Sequence, residues 1–197
     1  MRYEKGRKDT TRRRVMEIAA ARFRSDGVAA TGIASIMGEA GLTNGAFYPH
    51  FPSKAALVCE SVAAALDEQA EKMAEQIATA GLEAAITAYL SPAHRDDPGH
   101  GCALAALLPE LAREPLATRQ VYGDRLLASV KDLAEALPDQ TDPEGAAIAV
   151  TAILVGTLQL ARATAGTPIS DRILEAGVHG AIRLVTSSAP TSRPVGE

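Results

Sequence analysis

One stretch constrains this chain more than any other. It reads Gly41-Leu42-Thr43-Asn44-Gly45-Ala46-Phe47-Tyr48-Pro49-His50-Phe51 and closes on Ser53-Lys54. It sets a turn glycine, a short polar segment, the aromatics Phe47, Tyr48 and Phe51, and a basic end in a row. Upstream, at about 32–39, Ile33, Ile36 and Met37 fall on one face of a helix. Ala40-Gly41-Leu42 then makes a tight turn, and Thr43 stands where a helix cap belongs. Helix, turn and second helix at this spacing form a helix-turn-helix, whose second helix fits a DNA major groove.

Charge sharpens that reading. The whole chain is acidic, at −4, which by itself argues against a polyanion partner. Its distribution argues the other way. Residues 1–54 hold ten Lys/Arg and five Asp/Glu, a net +5, while residues 55–197 hold ten and nineteen, a net −9. A basic head on an acidic body is the pattern of a nucleic-acid-binding module joined to a module of another kind.

Hydrophobic residues make up 47% of the chain but aromatics only 4%, so the apolar mass is Ala, Leu, Val and Ile. Without strand-type alternation, this predicts an all-α protein of about nine helices. The predicted helices cover about 9–25, 32–39, 44–50, 54–80, 82–90, 101–113, 115–137, 144–165 and 170–185. Residues 1–8 read as a flexible basic arm and 92–100 as a polar loop. Thr31, Thr43, Ser53 and Ser170 are the expected helix caps. The predicted domains are a DNA-binding unit at 1–53, a helical effector and dimerisation unit at 54–187, and a disordered Ser/Pro-rich tail at 188–197. The apolar run at 146–165 carries Thr151, Thr157, Gln159 and Arg162, so it reads as a buried helix and no membrane partner is expected. Two cysteines, Cys59 and Cys102, form no spaced framework, and no signal peptide is evident. Both points predict a cytoplasmic protein.

Candidate DNA contacts follow from residue chemistry. Thr31 and Thr43, read as helix starts, offer hydroxyl and backbone donors to phosphate. Asn44 leads the second helix, where an amide can pair bidentately with adenine. Gly45 and Ala46 are small enough to let the backbone approach the groove. Tyr48, His50 and Lys54 flank that helix as phosphate contacts. Lys5, Arg7, Lys8, Arg12 and Arg13 add long-range attraction. Phe47 and Phe51 have the phase of core residues.

Gly27, Thr31, Ile33, Ile36, Ala40-Gly41-Leu42-Thr43, Gly45, Phe47-Tyr48, His50-Phe51, Ser53-Lys54 and Leu57 together resemble the TetR/AcrR family of bacterial transcriptional regulators over about the first 60 residues. Met37 departs from the alanine usual in that family, and Pro49 shortens the second helix. The resemblance implies a ligand-responsive, non-enzymatic regulator, usually a repressor, that binds double-stranded operator DNA as a homodimer and leaves it when a small-molecule effector binds. It implies dimerisation through the last two helices, where Gly156, Gly177 and Gly180 offer close approach.

The remaining helices carry no catalytic motif and call for no cofactor or metal. Effector-binding candidates are Cys102, Leu107, Tyr122, Leu126, Leu158 and Arg162. Cys102 follows Gly101 at an expected helix start, where unpaired backbone donors favour a thiolate. Three readings of it stay open: a small packing residue, a sensor of electrophiles or oxidants like that of one subset of the family, and a metal ligand with His94, His100 and Asp97. A catalytic pair of Cys102 with His100 lacks an orienting third group, and a basic head would have no purpose in an enzyme or in a helical protein-interaction module.

Overall fold

The computed structural model describes residues 2–137 and 140–186, with side chains from residue 8 onward. Among them lie nine α-helices, two 3-10 turns and no strand. The helices are α1 (Arg2–Asp26), α2 (Ile33–Glu39), α3 (Lys54–Ala80), α4 (Leu82–Tyr89), α5 (Pro92–Asp96), α6 (Ala103–Leu111), α7 (Leu116–Glu135), α8 (Pro143–Ala163) and α9 (Pro168–Thr186). The 3-10 turns are Asn44–Ala46 and Pro98–His100.

The predicted number of helices matches, but the sets differ. The segment expected as a helix at 44–50 is a 3-10 turn followed by a single wider turn, closed by Phe51 N–H to Phe47 C=O at 3.0 Å. Pro49 is the cause. It has no N–H to offer the Gly45 carbonyl, and its ring crowds that carbonyl. Conversely, the expected loop at 92–100 contains α5 and the second 3-10 turn, opened by Pro92 and Pro98, whose fixed φ suits a first helical position. The expected arm at 1–8 continues α1, since Glu4, Lys5, Arg7 and Lys8 are all good helix formers. The side chains of Lys5 and Arg7, and the tail at 188–197, lie outside the described residues.

The chain forms two compact units, residues 1–72 with 93–126, and residues 73–92 with 127–197. The core of the first gathers Val15, Ala19 and Phe23 of α1, Ile36 and Met37 of α2, then Phe47, Phe51, Leu57 and Val58, and continues to Leu107, Leu111 and Tyr122. Met37 fits this core fully buried. In the second unit α8 packs along α9. The buried positions of α8 are Ala147, Val150, Leu154, Val155, Leu158 and Ala161, a recurring three-four spacing that forms one apolar stripe. This helix is long and apolar enough to cross a membrane by composition alone; here that apolarity serves packing on α9. Gly177 makes the approach close, because a Cβ there would collide with the Thr157 side chain. An added Cβ at Gly156 or Gly180 would meet open space.

Candidate nucleic-acid interface

The turn between α2 and the 44–46 segment is fixed by backbone chemistry. Gly41 has φ +73°, a conformation that side chains with a Cβ disfavour. Leu42 N–H reaches back to Met37 C=O at 2.8 Å and Gly41 N–H to Gly38 C=O at 3.0 Å, so the last carbonyls of α2 are satisfied as the chain reverses. Past the turn, Phe47 and Phe51 anchor the segment from beneath. Both are fully buried, with ring centroids 5.6 Å apart and planes at 30°. Arg12 lies over the Phe51 ring at 4.7 Å and pairs with Glu60. A guanidinium stacked on an aromatic face and tied to a carboxylate is a well-fixed cation.

With the aromatics facing inward, Thr43, Asn44, Gly45 and Tyr48 face outward, Tyr48 at 67% exposure. The Tyr48 ring meets Phe47 edge-on at 5.3 Å and 84°, which steadies the phenol while leaving its hydroxyl end free to reach out. Thr43 occupies the cap position of the 3-10 turn, without a side-chain bond to it.

Three of the expected contact residues are engaged differently. Thr31 is buried at 1% exposure, and its hydroxyl donates to Gly27 C=O at 2.8 Å and Arg22 C=O at 3.3 Å. This corrects the expectation of a hydroxyl offered to phosphate. The cap position of α2 belongs to Gly32, and Thr31 instead ties the α1–α2 connection together. Lys54 is half-buried, and its ammonium donates to Val28 C=O at 2.6 Å. His50 is half-buried with a buried Nδ1 that has no bonded partner. Burial, followed by the charges of Lys8 and Arg12, lowers its pKa from the ordinary imidazole value.

The effector candidates fall on both units. In the first, Leu107 and Tyr122 share one core, while Leu126 is 37% exposed. The Tyr122 hydroxyl is buried beside Cys59, and burial first, then Cys59 and Glu114, raises its pKa. In the second, Leu158 is fully buried in α8 and Arg162 is half-buried on the same helix. Cys102 does not sit in the first turn of a helix as expected. It is the residue preceding α6, in extended conformation, only 3% exposed, and its backbone N–H donates to His94 Nε2 at 3.0 Å. That bond requires a lone pair on Nε2, so His94 is the tautomer protonated at Nδ1. His100 turns instead to Asp97, with Nδ1 3.0 Å from its carboxylate. The Cys102–His100 pair of the enzyme reading is not formed, and it is His94, on α5, that meets the Cys102 backbone N–H.

A groove of about 510 Å³ in the first unit lies between α1 and α3, floored by Met16, Ala20, Ala64 and Ala65 and edged by Arg13, Arg24, Glu68 and Lys72. None of the effector candidates lines it.

A tight glycine turn, an inward aromatic pair and an outward Thr-Asn-Gly-Tyr segment on a basic head define an all-helical regulator of the helix-turn-helix class. Residues 15–60 match the family model described as bacterial regulatory proteins, tetR family. The whole fold is similar to a TetR-family transcriptional regulator from Cytophaga hutchinsonii, with TM-score 0.75 at 21% identity, over 93% of this chain and 97% of that one. It is also similar to E. coli NemR in its reduced form, with TM-score 0.73 at 18% identity, over 87% and 95%. A third likeness is the fatty acid degradation regulator FadR from Bacillus halodurans, with TM-score 0.68 at 14% identity, over 90% and 95%. No curated protein sequence matches the chain. The helix-turn-helix match is thus that of the TetR family of bacterial transcriptional regulators, and the chain as a whole shares the fold of these solved structures.

Proposed function

We propose that this regulator is a cytoplasmic, ligand-responsive repressor, without enzymatic activity, that binds double-stranded operator DNA as a homodimer. Residues 1–53 read DNA and residues 54–187 bind the effector and the second copy. The observation that carries the reading is the sidedness of the 43–51 segment. Phe47 and Phe51 are buried while Thr43, Asn44, Gly45 and Tyr48 are presented together on a head of net positive charge. Asn44 supplies the base-reading amide. Gly45 keeps the backbone low against the groove. Thr43, Tyr48, His50 and Lys54 supply phosphate contacts, Lys54 through ammonium protons left over after Val28. Thr31 contributes by shaping the start of α2.

Pairing of two copies is supported by the outer face of α8. Ile148, Ala152, Gly156, Gln159, Leu160 and Ala163 form a stripe without a charged side chain, and Ile148 and Leu160 are 52% and 60% exposed. Such a surface seeks cover. Effector contacts are sought within each unit separately, at Cys102, Leu107, Tyr122 and Leu126 in the first and at Leu158 and Arg162 in the second, with the buried Tyr122 hydroxyl the strongest single pointer. Effector binding releases the operator by changing the separation of the two heads.

Electrophoretic mobility shift with random and enriched duplexes at two salt concentrations tests the reading. Sequence-selective binding that weakens steeply at the higher salt is expected. Binding without sequence preference, or none at all, refutes it.

A further inference from the structure

The connection that leaves α1 for α2 is held through both backbone groups of one residue, Val28. Val28 N–H donates to Glu110 Oε2 at 3.1 Å, and Val28 C=O accepts from Lys54 Nζ at 2.6 Å. The two partners arrive from different elements, Glu110 from the last turn of α6 and Lys54 from the first residue of α3. The chain is ready for this grip because Gly27, at φ +85°, ends α1 by turning the next N–H away from the helix axis. Gly27 also leaves room for the carboxylate, since a Cβ there would stand 3.3 Å from Glu110 Oε1. Pro109, just before Glu110, removes one helix donor from the last turns of α6. The segment behind Glu110 is anchored too. Arg24 Nε donates to Gly99 C=O at 2.7 Å, and the Cys102 N–H is held by His94.

We propose that Glu110 is a positioning residue for DNA binding: its carboxylate holds Val28 and so ties the orientation of the helix-turn-helix to the position of α6. This rests on the DNA-binding reading above. Glu110 touches no DNA in this account. It acts through Val28, and through the Thr31 hydroxyl that closes the same connection onto Gly27. The consequence is directional. A displacement of α6 along its axis moves the carboxylate, releases the Val28 N–H and frees α2 and the 44–46 turn from their setting on α1. A charged acceptor on a backbone N–H is among the stronger hydrogen bonds available to a loop. Among the described contacts it is the one side-chain hydrogen bond that joins α6 to the α1–α2 connection.

The test compares E110A and E110Q with the wild-type chain by two readouts, amide hydrogen exchange at residues 28–33 and affinity for a duplex enriched by the wild-type chain. Gln keeps a carbonyl oxygen that can accept from Val28, and Ala keeps nothing. Expected for E110A is exchange at Val28 faster by about tenfold, the scale of one lost hydrogen bond, with α8 and α9 amides unchanged and DNA affinity reduced by a similar factor. E110Q restores most of both. Should E110A fail to fold, E110D, whose carboxylate falls one methylene short, takes its place with the same readouts. Wild-type affinity in E110A, or faster exchange at Val28 with no change in affinity, overturns the proposal while leaving the functional reading intact. A wild-type chain that enriches no duplex overturns the functional reading itself.

Discussion

The 41–51 segment and the α8–α9 pair are both built on close approach, yet they finish differently. In the first, every large apolar side chain is accounted for. Phe47 and Phe51 are fully buried, and the outward residues are polar or small apart from Tyr48, which carries a hydroxyl. In the second, the stripe between α8 and α9 is equally tight, with Gly177 against Thr157, but an uncharged face with Ile148 and Leu160 stays uncovered. A closed core with a polar outer surface is suited to a partner read through hydrogen bonds and charge. An open apolar face is suited to a partner that is itself apolar, such as a second copy of the same helix.

Five substitutions would break or sharpen this contrast. Phe51→Ala removes a fully buried ring from the closed side and is expected to destabilise the chain by about 3–5 kcal/mol in chemical denaturation. A loss below about 1 kcal/mol would mean the segment does not depend on its aromatic anchor. On the open side, Leu160→Glu is expected to weaken dimerisation by about 2 kcal/mol or more, since it sets a charge in the centre of the proposed interface. Analytical ultracentrifugation should then show monomer at concentrations where wild type is dimeric; unchanged dimers would move the interface elsewhere.

A third change separates reading from holding. Asn44→Ala should leave stability and non-specific binding nearly intact but cost about 1–3 kcal/mol of preference for the enriched duplex. Equal weakening on enriched and random DNA would remove Asn44 from base reading. The smallest effects come from the glycines. Gly177→Ala gains helix propensity but must displace Thr157, for a net loss of about 1–2 kcal/mol. Gly180→Ala meets open space and should gain about 0.5–1 kcal/mol. Thermal melts of the two variants that shift in the same direction would contradict the close approach at Gly177.

Much of the fold could be read from local chemistry. The bounds of α3 agree at both ends, because Ser53 caps it, its Oγ accepting from Ala56 N–H at 3.1 Å, and Gly81 ends it. The aromatic pair was legible from its phase alone. What escaped is tertiary in origin. Thr31 and Ser170 have the residue type of helix caps, but both hydroxyls are drawn inside, Ser170 to Ala161 C=O at 2.7 Å. The sequence cannot distinguish a hydroxyl that caps a helix from one that pins two helices together. Helix α5 spans only five residues and has no hydrophobic period to detect. Without it, the hydrogen bond from the Cys102 backbone N–H to His94 had no local signal. Glu110 gave no signal at all, since a lone glutamate near a helix end reads as a solvated surface residue until Val28 is placed beside it.

The account stands on the 43–48 surface reading base sequence. Selection of duplexes from a random pool by the purified chain tests this most directly, because it presumes no operator. The expected result is enrichment of one motif, repeated as two half-sites about one helical turn or a multiple of it apart, with binding that falls steeply as salt is raised. A pool that stays random after repeated rounds, while the protein remains folded, would contradict it.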